Sequence, residues 1–328
     1  MIIPPAVRRR ALLRMLAVAP GATLARAQGK PYRVAYVTTE RKDAPSVNLD
    51  AFRAGLKALG YVEGRDIAID VWSGYGSADR VTQIMPDVVA SRPDLVLAAG
   101  GLALFAILKN KPNLPIVFSL SADPVEAGIV RSYARPGGNM TGISLFTLDL
   151  VGKRLELLKQ AVPNAKRIAL VVNPQHPGER LELAAAKDAA QRLGLTVSYF
   201  PVASETELDA ALANIERERD DAILAFADGF TLQFAGRIAE FSKRTRIPAI
   251  DGWEPFARAG NLMTYGPVID DVYRRLAEYV DRIRKGARAG DLPVERPTAV
   301  ELVVNETAAK SLGITIPPVL RSVANKVI

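Results

Sequence analysis

The stretch PIVFSLSADPVEAGIVRSYARPGGNMTGISLF, residues 115–146, decides how this chain folds. Residues 115–120 are nearly all apolar, β-branched or aromatic, which predicts a buried strand of a parallel sheet. Pro124 suits the first turn of a helix because it has no N–H to leave unpaired, and this helix is predicted to run to about Ala134. The Arg-Pro-Gly-Gly break at 135–138 would end it. A polar loop between a strand and a helix is where open α/β sheets hold ligands.

Alternating strand and helix patterns run through the chain on both sides of this stretch. The strand-helix units before it predict a parallel sheet with right-handed crossovers. After Phe146 the pattern restarts, and short segments recur in the same order: LKALG at 56–60 with AQRLG at 190–194, and RPDLVLAAGG at 92–101 with RDDAILAFADG at 219–229. We therefore predict an α/β protein with two doubly wound parallel-sheet lobes of the same topology.

The last part of the chain is predicted to cross back between the lobes. The predicted lobe one is residues 30–146 plus 262–292, and lobe two is residues 147–261 plus 293–328. In this division a strand at 262–265 and a helix at 268–286 belong to lobe one. A strand at 299–305 and a terminal helix at 306–312 belong to lobe two. A hinge of several strands allows two lobes to close around a ligand.

Residues 1–27 have the pattern of an export signal. The basic run Arg8–Arg10 leads to an apolar stretch at 11–24 that only Arg14 interrupts, and small residues precede the predicted cleavage before Gln28. The stretch is shorter than the span of about 20 residues that a membrane helix needs. We predict a periplasmic protein exported by the general or the twin-arginine route; the alternative is a disordered basic tail.

The composition excludes several classes of function. The chain has 328 residues, no cysteine and one histidine, His176, so disulfides, thiolate chemistry and the usual zinc sites are not expected. Its net charge of +8 falls to +3 without residues 1–27. Because no basic stripe with interleaved aromatic residues occurs, no nucleic-acid partner is predicted. We expect a monomer without a cofactor or a metal.

Two facing lobes would bring the loops after their strands to one cleft. Glycines at a helix start let backbone N–H groups approach a carboxylate, which the helix dipole favours. A serine adds a hydroxyl, and an aspartate pairs with an ammonium. These groups suit a small zwitterion such as an amino acid, or another small carboxylate. The predicted ligand-binding residues are Thr39, Gly100, Gly101, Ser121, Asp123, Asn173, Asp228 and Trp253.

Several of these residues also have a structural interpretation. Asp123 precedes a proline and can cap a helix. Gly100-Gly101 and Asp228-Gly229 are dipeptides of tight turns. Trp253 can pack in the hinge instead of stacking on an aromatic ligand. His176 lies between two prolines in a loop at the predicted edge of the cleft, where a ligand contact and a structural role both remain open.

The stretch DPVEAGIVRSYARPGGNMTGIS, residues 123–144, resembles the signature of the ABC-transporter substrate-binding proteins related to the tryptophan- and tyrosine-binding type. The resemblance continues through residues 153–174, 259–305 and 308–318. It implies a type I periplasmic-binding-protein fold, a ligand held by the loops named above, and an ABC permease as the partner. Many relatives have Thr or Ser after the glycine pair, where this chain has Leu102, so one hydroxyl for a carboxylate is missing.

The sequence thus predicts a non-catalytic solute-binding component of an ABC importer that closes around a small molecule. A sensor that presents its ligand to a membrane receptor is the alternative. An enzyme with its active site in the same cleft is a weaker alternative, since the chain lacks a G-x-S-x-G elbow, a Walker A sequence and an H-E-x-x-H motif.

Overall fold

The structure is a computed structural model that describes Met1 and residues 30–42 and 46–328. The predicted export signal at 1–27 lies, apart from Met1, outside the described residues. The described chain forms two sheets, and four clusters of buried side chains accompany them. This is the predicted α/β architecture of two parallel-sheet lobes.

The first sheet has five parallel strands in the order β2-β1-β3-β4-β5. They are β1 (Tyr32–Thr38), β2 (Ile67–Ser73), β3 (Leu95–Ala99), β4 (Ile116–Leu120) and β5 (Met140–Ser144). The helices between them are α1 (Val47–Ala58), α2 (Ala78–Ala90) and α3 (Gly101–Lys109). Ser46 and Ser77 begin α1 and α2, because each hydroxyl oxygen accepts a hydrogen bond from the N–H three residues later.

The second sheet has seven strands in the order β12-β11-β10-β9-β8-β6-β7, with β10 and β11 antiparallel. Its strands are β6 (Arg167–Val172), β7 (Thr196–Pro201), β8 (Ala222–Ala225), β9 (Ala249–Asp251), β10 (Met263–Pro267), β11 (Val300–Val304) and β12 (Lys326–Val327). The remaining helices are α4 (Thr147–Ala161), α5 (Glu179–Arg192), α6 (Glu205–Glu218), α7 (Gly229–Leu232), α8 (Ala235–Thr245), α9 (Glu254–Arg258), α10 (Ile269–Arg284), α11 (Glu306–Leu312) and α12 (Pro318–Val323). A 3-10 turn lies at Ala289–Asp291.

Helix α10 packs on the first sheet, although it follows strands of the second sheet in the chain. Leu276 and Val280 join the core that α1 forms with Phe52. The two helices approach closely at Gly55, where a Cβ atom would lie 2.8 Å from the backbone oxygen of Arg274. This position of α10 agrees with the predicted lobe one, while the full division into lobes stays a prediction.

Strand β10 lies in the second sheet, which corrects our placement of residues 262–265 in lobe one. It pairs in parallel with β9 and antiparallel with β11. Leu262 and Met263 are fully buried in the core of the second sheet, and this burial holds the strand there. The chain therefore crosses back to the first sheet at 267–269 and not near 261.

Residues 124–130 form turns and not the start of the predicted helix to Ala134. The N–H groups of Ile129 and Val130 both bond to the carbonyl of Pro124. Gly128 has a φ of +68°, a left-handed conformation in which a right-handed helix does not continue. After the Pro-Gly-Gly break the chain forms β5, a strand that we did not predict, beside β4 at the edge of the sheet.

Three segments pass between the two sheets, at residues 144–147, 267–269 and 292–300. The first and the third are joined by backbone hydrogen bonds, since Glu295 donates to the carbonyl of Gly142 and accepts from the N–H of Ser144. These bonds join two of the crossing segments in a short parallel bridge between Ile143 and Glu295.

Candidate functional site

A cavity of about 50 Å³ lies between the two sheets, at the carboxyl ends of their strands. Parallel strands place these ends at one edge of a sheet, so loops far apart in the chain meet there. A volume of this size holds only a few waters. The lining residues are Thr39, Glu40, Asn48, Ala99, Gly100, Gly101, Leu102, Ser119, Ser121, Leu145, Asp228, Gly229, Leu232, Trp253, Pro255, Ile269 and Tyr273.

Backbone N–H groups at the start of α3 form part of the cavity wall that the first lobe contributes. Gly100 precedes the helix with a φ of +96°, a conformation that favours glycine. Its N–H donates to Ser119 Oγ at 3.0 Å, which fixes the loop. The N–H groups of Gly101 and Leu102 have no acceptor within the helix, and the helix dipole makes this end positive. This wall suits an anionic group of a ligand.

Two buried hydroxyl groups lie next to the glycine loop, and both were missed from the sequence. Ser119 Oγ is 3.1 Å from Tyr273 Oη, and both residues line the cavity. Burial, followed by the charge of Glu40, raises the pKa of Tyr273 well above its ordinary value. The phenol therefore stays protonated and can donate a hydrogen bond.

Ser121 and His176 join the two lobes. Ser121 Oγ lies 2.6 Å from His176 Nε2, and both side chains are buried. His176 Nδ1 accepts a hydrogen bond from the N–H of Gly178 at 3.1 Å, so in the neutral ring Nε2 carries the proton and donates it to Ser121. The Ser121 hydroxyl keeps its own proton to donate. His176 does not line the cavity, so the structure places it as a contact between lobes.

Asp228 is the carboxylate that the second lobe presents to the cavity. Its Oδ1 accepts from the N–H of Phe230 at 3.0 Å, and its Oδ2 accepts from Asn173 Nδ2 at 2.7 Å. Each carboxylate oxygen can accept a further hydrogen bond. Asn173 also accepts from the N–H of Gln175 at 2.9 Å. Asn173 does not line the cavity; the structure places it behind Asp228, where it orients the carboxylate.

Asp123, which we predicted to bind a ligand, does not line the cavity. Its Oδ1 accepts from the N–H groups of Val125 and Glu126 at 2.8 and 3.1 Å, and its Oδ2 accepts from Tyr133 Oη at 2.8 Å. Burial opposes the charge, but these hydrogen bonds outweigh it and lower the pKa of Asp123. The structure thus places Asp123 outside the cavity lining, where its carboxylate holds the turn at 124–130.

Trp253 brings an indole ring to the cavity from the loop after β9. The side chain is 7% exposed, and its Nε1 has no hydrogen-bond partner among the described residues. A buried N–H without a partner costs about 1–3 kcal/mol. Its backbone N–H donates to Asp251 Oδ1 at 3.0 Å, which positions the loop. The indole thus holds a buried donor that the described residues leave without an acceptor.

A group of buried charged side chains lies behind the cavity wall that the second lobe forms. Arg154 is fully buried, and its Nε donates to the carbonyl of Tyr265 at 2.8 Å. Burial lowers the pKa of Arg154, while the charges of Asp251 and Glu182 raise it. Gly252 leaves the room for the guanidinium, because a Cβ atom there would lie 2.7 Å from Arg154 Nη2. The loop that carries Trp253 therefore rests on a buried cation.

Asp251 is expected to make stability depend on pH. Burial raises its pKa to about 7, although Arg154 lowers it. Between about pH 4 and pH 7 the folded state then keeps a proton that the unfolded state has lost, so stability falls as pH rises. We expect Asp251→Asn, which mimics the protonated acid, to lack this pH dependence. Its stability relative to the wild type should therefore be higher near pH 8 than near pH 5 by roughly 3 kcal/mol, because about two pH units contribute about 1.4 kcal/mol each.

Urea unfolding of both proteins at the two pH values measures this difference. Asp50→Asn removes an exposed carboxylate, 72% accessible at its side chain, and should leave the pH dependence unchanged. A constant difference between wild type and Asp251→Asn at both pH values would show that Asp251 does not hold its proton in the folded state.

Leu102 has a role in the structure that explains why a hydroxyl is absent at this position. The side chain comes from the first lobe but packs against a buried cluster of the second lobe that includes Phe230 and Phe256. Conversely, Trp253 and Ala227 of the second lobe join the main core of the first. The lobes are thus in apolar contact on both sides of the cavity.

The structure brings together six of the eight predicted site residues: Thr39, Gly100, Gly101, Ser121, Asp228 and Trp253. Their role in binding stays a prediction. Sequence analysis missed Glu40. This residue directly follows Thr39, so its place in the loop after β1 could have predicted that it lines the cavity. It also missed Tyr273, for which no local signal exists because the residue lies on α10, far along the chain.

None of the helices formed by residues 30–42 and 46–328 is long and apolar enough to cross a membrane.

Comparisons with known proteins agree on one family. The ABC transporter substrate binding protein family matches residues 35–328. A tyrosine-binding protein of Clostridioides difficile is 26% identical over 269 residues, which cover 81% of this chain and 77% of that protein. A conserved domain protein from Vibrio cholerae has a crystal structure with a TM-score of 0.83 and 27% identity, covering 91% of this chain and 100% of that one.

A third similar structure is 23% identical in sequence and supports the fold alone. The ABC domain from Streptococcus pneumonia, solved in complex with L-Trp, has a TM-score of 0.82 and covers 91% of this chain and 100% of that one. Together with the two sheets described above, these likenesses confirm the predicted fold class. Because the family match extends over nearly all of the described residues, the chain belongs to the ABC transporter substrate binding protein family.

Proposed function

We propose that this protein is the periplasmic component of an ABC importer and that it binds a small zwitterion, an amino acid, between its lobes. The observation that carries the proposal is the distribution of charge in the cavity. The N–H groups at the start of α3 lie on one wall, and the Asp228 carboxylate comes from the other lobe. A carboxylate and an ammonium of one ligand would match these two ends. The partner that receives the ligand is a permease of the inner membrane.

Apolar side chains line the space between the two polar ends. Leu145, Leu232 and Ile269 contribute to the cavity together with the indole of Trp253. Such a surface suits the apolar part of an amino acid side chain. Since one relative is named for tyrosine and one similar structure contains L-Trp, aromatic amino acids are the first ligands to test, with other small carboxylates as the second class.

A thermal-shift screen of the chain from Gln28 tests the proposal. The panel contains the amino acids, aromatic acids and other small carboxylates. A ligand at about a hundred times its dissociation constant adds about 2.7 kcal/mol to the folded state, which raises the melting temperature. A response to amino acids supports the proposal, a response restricted to other carboxylates replaces the ligand class, and no response to any of them contradicts it.

Ligand capture is proposed to occur by hinge closure. Contacts to both lobes exist only when the lobes are close together, so a ligand that makes them shifts the population toward the closed form. The bond between Ser121 and His176 and the cross-lobe packing of Leu102 would be broken in an open form. Small-angle scattering should therefore show a smaller radius of gyration with ligand than without it.

His176→Ala is expected to weaken ligand binding although His176 does not touch the cavity. The substitution removes the hydrogen bond to Ser121, which contributes about 1 kcal/mol to the closed form, so affinity should fall by about fivefold to tenfold. Isothermal titration measures the change, and scattering with ligand should show a larger fraction of open protein. Gln175→Ala, an exposed neighbour, is the control; equal affinities of the two variants would contradict the role of His176.

A further inference from the structure

Two acidic side chains and no basic one line the cavity, as far as the described residues show. Among the described residues that line the cavity, Glu40 and Asp228 are acidic, and none is lysine, arginine or histidine. An amino acid ligand would place its ammonium on one carboxylate and its own carboxylate on the N–H groups of α3. One acidic side chain of the protein then remains without a partner from the ligand.

Glu40 is held in place with accepting capacity to spare. Its Oε2 accepts from Ser46 Oγ and its Oε1 from Asn48 Nδ2, each at 2.6 Å. These bonds come from the residues at the start of α1 and fix the direction of the carboxylate. Because each of its oxygens can accept a second hydrogen bond, the group is oriented but not saturated.

The carboxylates of Glu40 and Asp228 belong to different lobes, and their charges influence different neighbouring groups. The charge of Glu40 acts on Tyr36 and Tyr273 of the first lobe. The charge of Asp228 acts on Asp251 of the second lobe. Ser46 and Asn48 hold Glu40 from the first lobe, whereas Asn173 and the N–H of Phe230 hold Asp228 from the second. The two carboxylates therefore come from opposite walls of the cavity, and each can accept a hydrogen bond from a different group of one ligand.

We infer that Glu40 is a second ligand-binding carboxylate and that the ligand donates a hydrogen bond to it from a group beyond its α-ammonium. This inference rests on the proposed function and narrows its ligand class to amino acids with a donor in the side chain. Closing the cleft removes water from Glu40, and an acceptor that loses water without gaining a donor is costly. A ligand lacking the donor is therefore discriminated against.

The test uses pairs of amino acids that differ by one side-chain donor. Tyrosine and phenylalanine differ by a hydroxyl, tryptophan and 1-methyltryptophan by an indole N–H, and lysine and norleucine by an ammonium. In isothermal titration of the wild type, the donor-bearing member of at least one pair should bind about tenfold or more tightly than its partner, since a site that pairs a ligand OH or NH rejects the analogue without it.

Glu40 variants then assign the preference to this carboxylate. In Glu40→Ala the preference within the pair should fall to about threefold or less, chiefly because the member without the donor binds more tightly once no desolvated acceptor is left without a partner. Glu40→Gln keeps an acceptor but no charge, so it should retain part of a hydroxyl or indole preference and lose an ammonium preference. Asp50→Asn removes an exposed carboxylate of α1 and should keep the wild-type preference.

The outcomes separate this inference from the function on which it rests. Equal binding within every pair, or an unchanged preference in Glu40→Ala, would show that Glu40 only anchors the loop before α1. If none of the amino acids of the thermal-shift panel binds the wild type, the proposed amino acid ligand is wrong, and the role of Glu40 is rejected with it.

Discussion

Asp228→Ala is expected to weaken ligand binding by about 30-fold or more, because truncating one partner of a buried charged pair costs about 2–5 kcal/mol. The carboxylate lines the cavity, is 5% exposed, and is oriented by Asn173 and the N–H of Phe230. Isothermal titration with the best ligand of the thermal-shift screen measures the loss. The substitution also leaves Asn173 Nδ2 without an acceptor, which destabilises the fold. The titrations are therefore run well below the melting temperature of the variant.

Asp123→Ala is the matched control for this experiment. Both aspartates were predicted from the sequence to bind a ligand, but the structure uses Asp123 to hold a turn through two backbone N–H groups. Its removal should cost about 1 kcal/mol of stability and leave the affinity unchanged. Equal affinities of Asp228→Ala and Asp123→Ala would rule out the binding role of Asp228.

Arg154→Met is expected to destabilise the fold by about 3–5 kcal/mol, as removing one member of a buried charge group leaves the others uncompensated. Arg154 is fully buried and is influenced by the charges of Asp251 and Glu182. Methionine fills much of the same space without a charge. Urea unfolding near pH 8 measures the loss, since Asp251 is ionised above its pKa of about 7.

Two further variants show whether charge causes the effect. Arg154→Met combined with Asp251→Asn should recover part of the stability, because one of the uncompensated carboxylates is gone. Arg192→Met, at an exposed position of α5, should change stability by less than about 0.5 kcal/mol. A double variant no more stable than Arg154→Met would mean that lost packing, and not charge, destabilises the protein.

Much of the site was predictable because of where strands end. Thr39, Gly100 and Ser121 each lie directly after a strand whose apolar pattern is clear, and parallel strands bring such positions to one edge. Glu40 follows from the same reasoning and was overlooked. Asp123 was predicted to bind a ligand because an aspartate before a proline fits a ligand contact and a cap equally well. The bond that its carboxylate accepts from Tyr133 lies outside any local pattern.

The alternation of strands and helices, the two lobes and the family could be predicted from the sequence, because apolar periodicity and glycine and proline breaks are local properties of the chain. The sheet that takes β10, the contact of Ser121 with His176 and the burial of Arg154 among distant carboxylates depend on tertiary packing. A short apolar strand fits either sheet equally well by its pattern. Its neighbours are chosen by burial and by side chains that lie many residues away, and no local pattern encodes that choice.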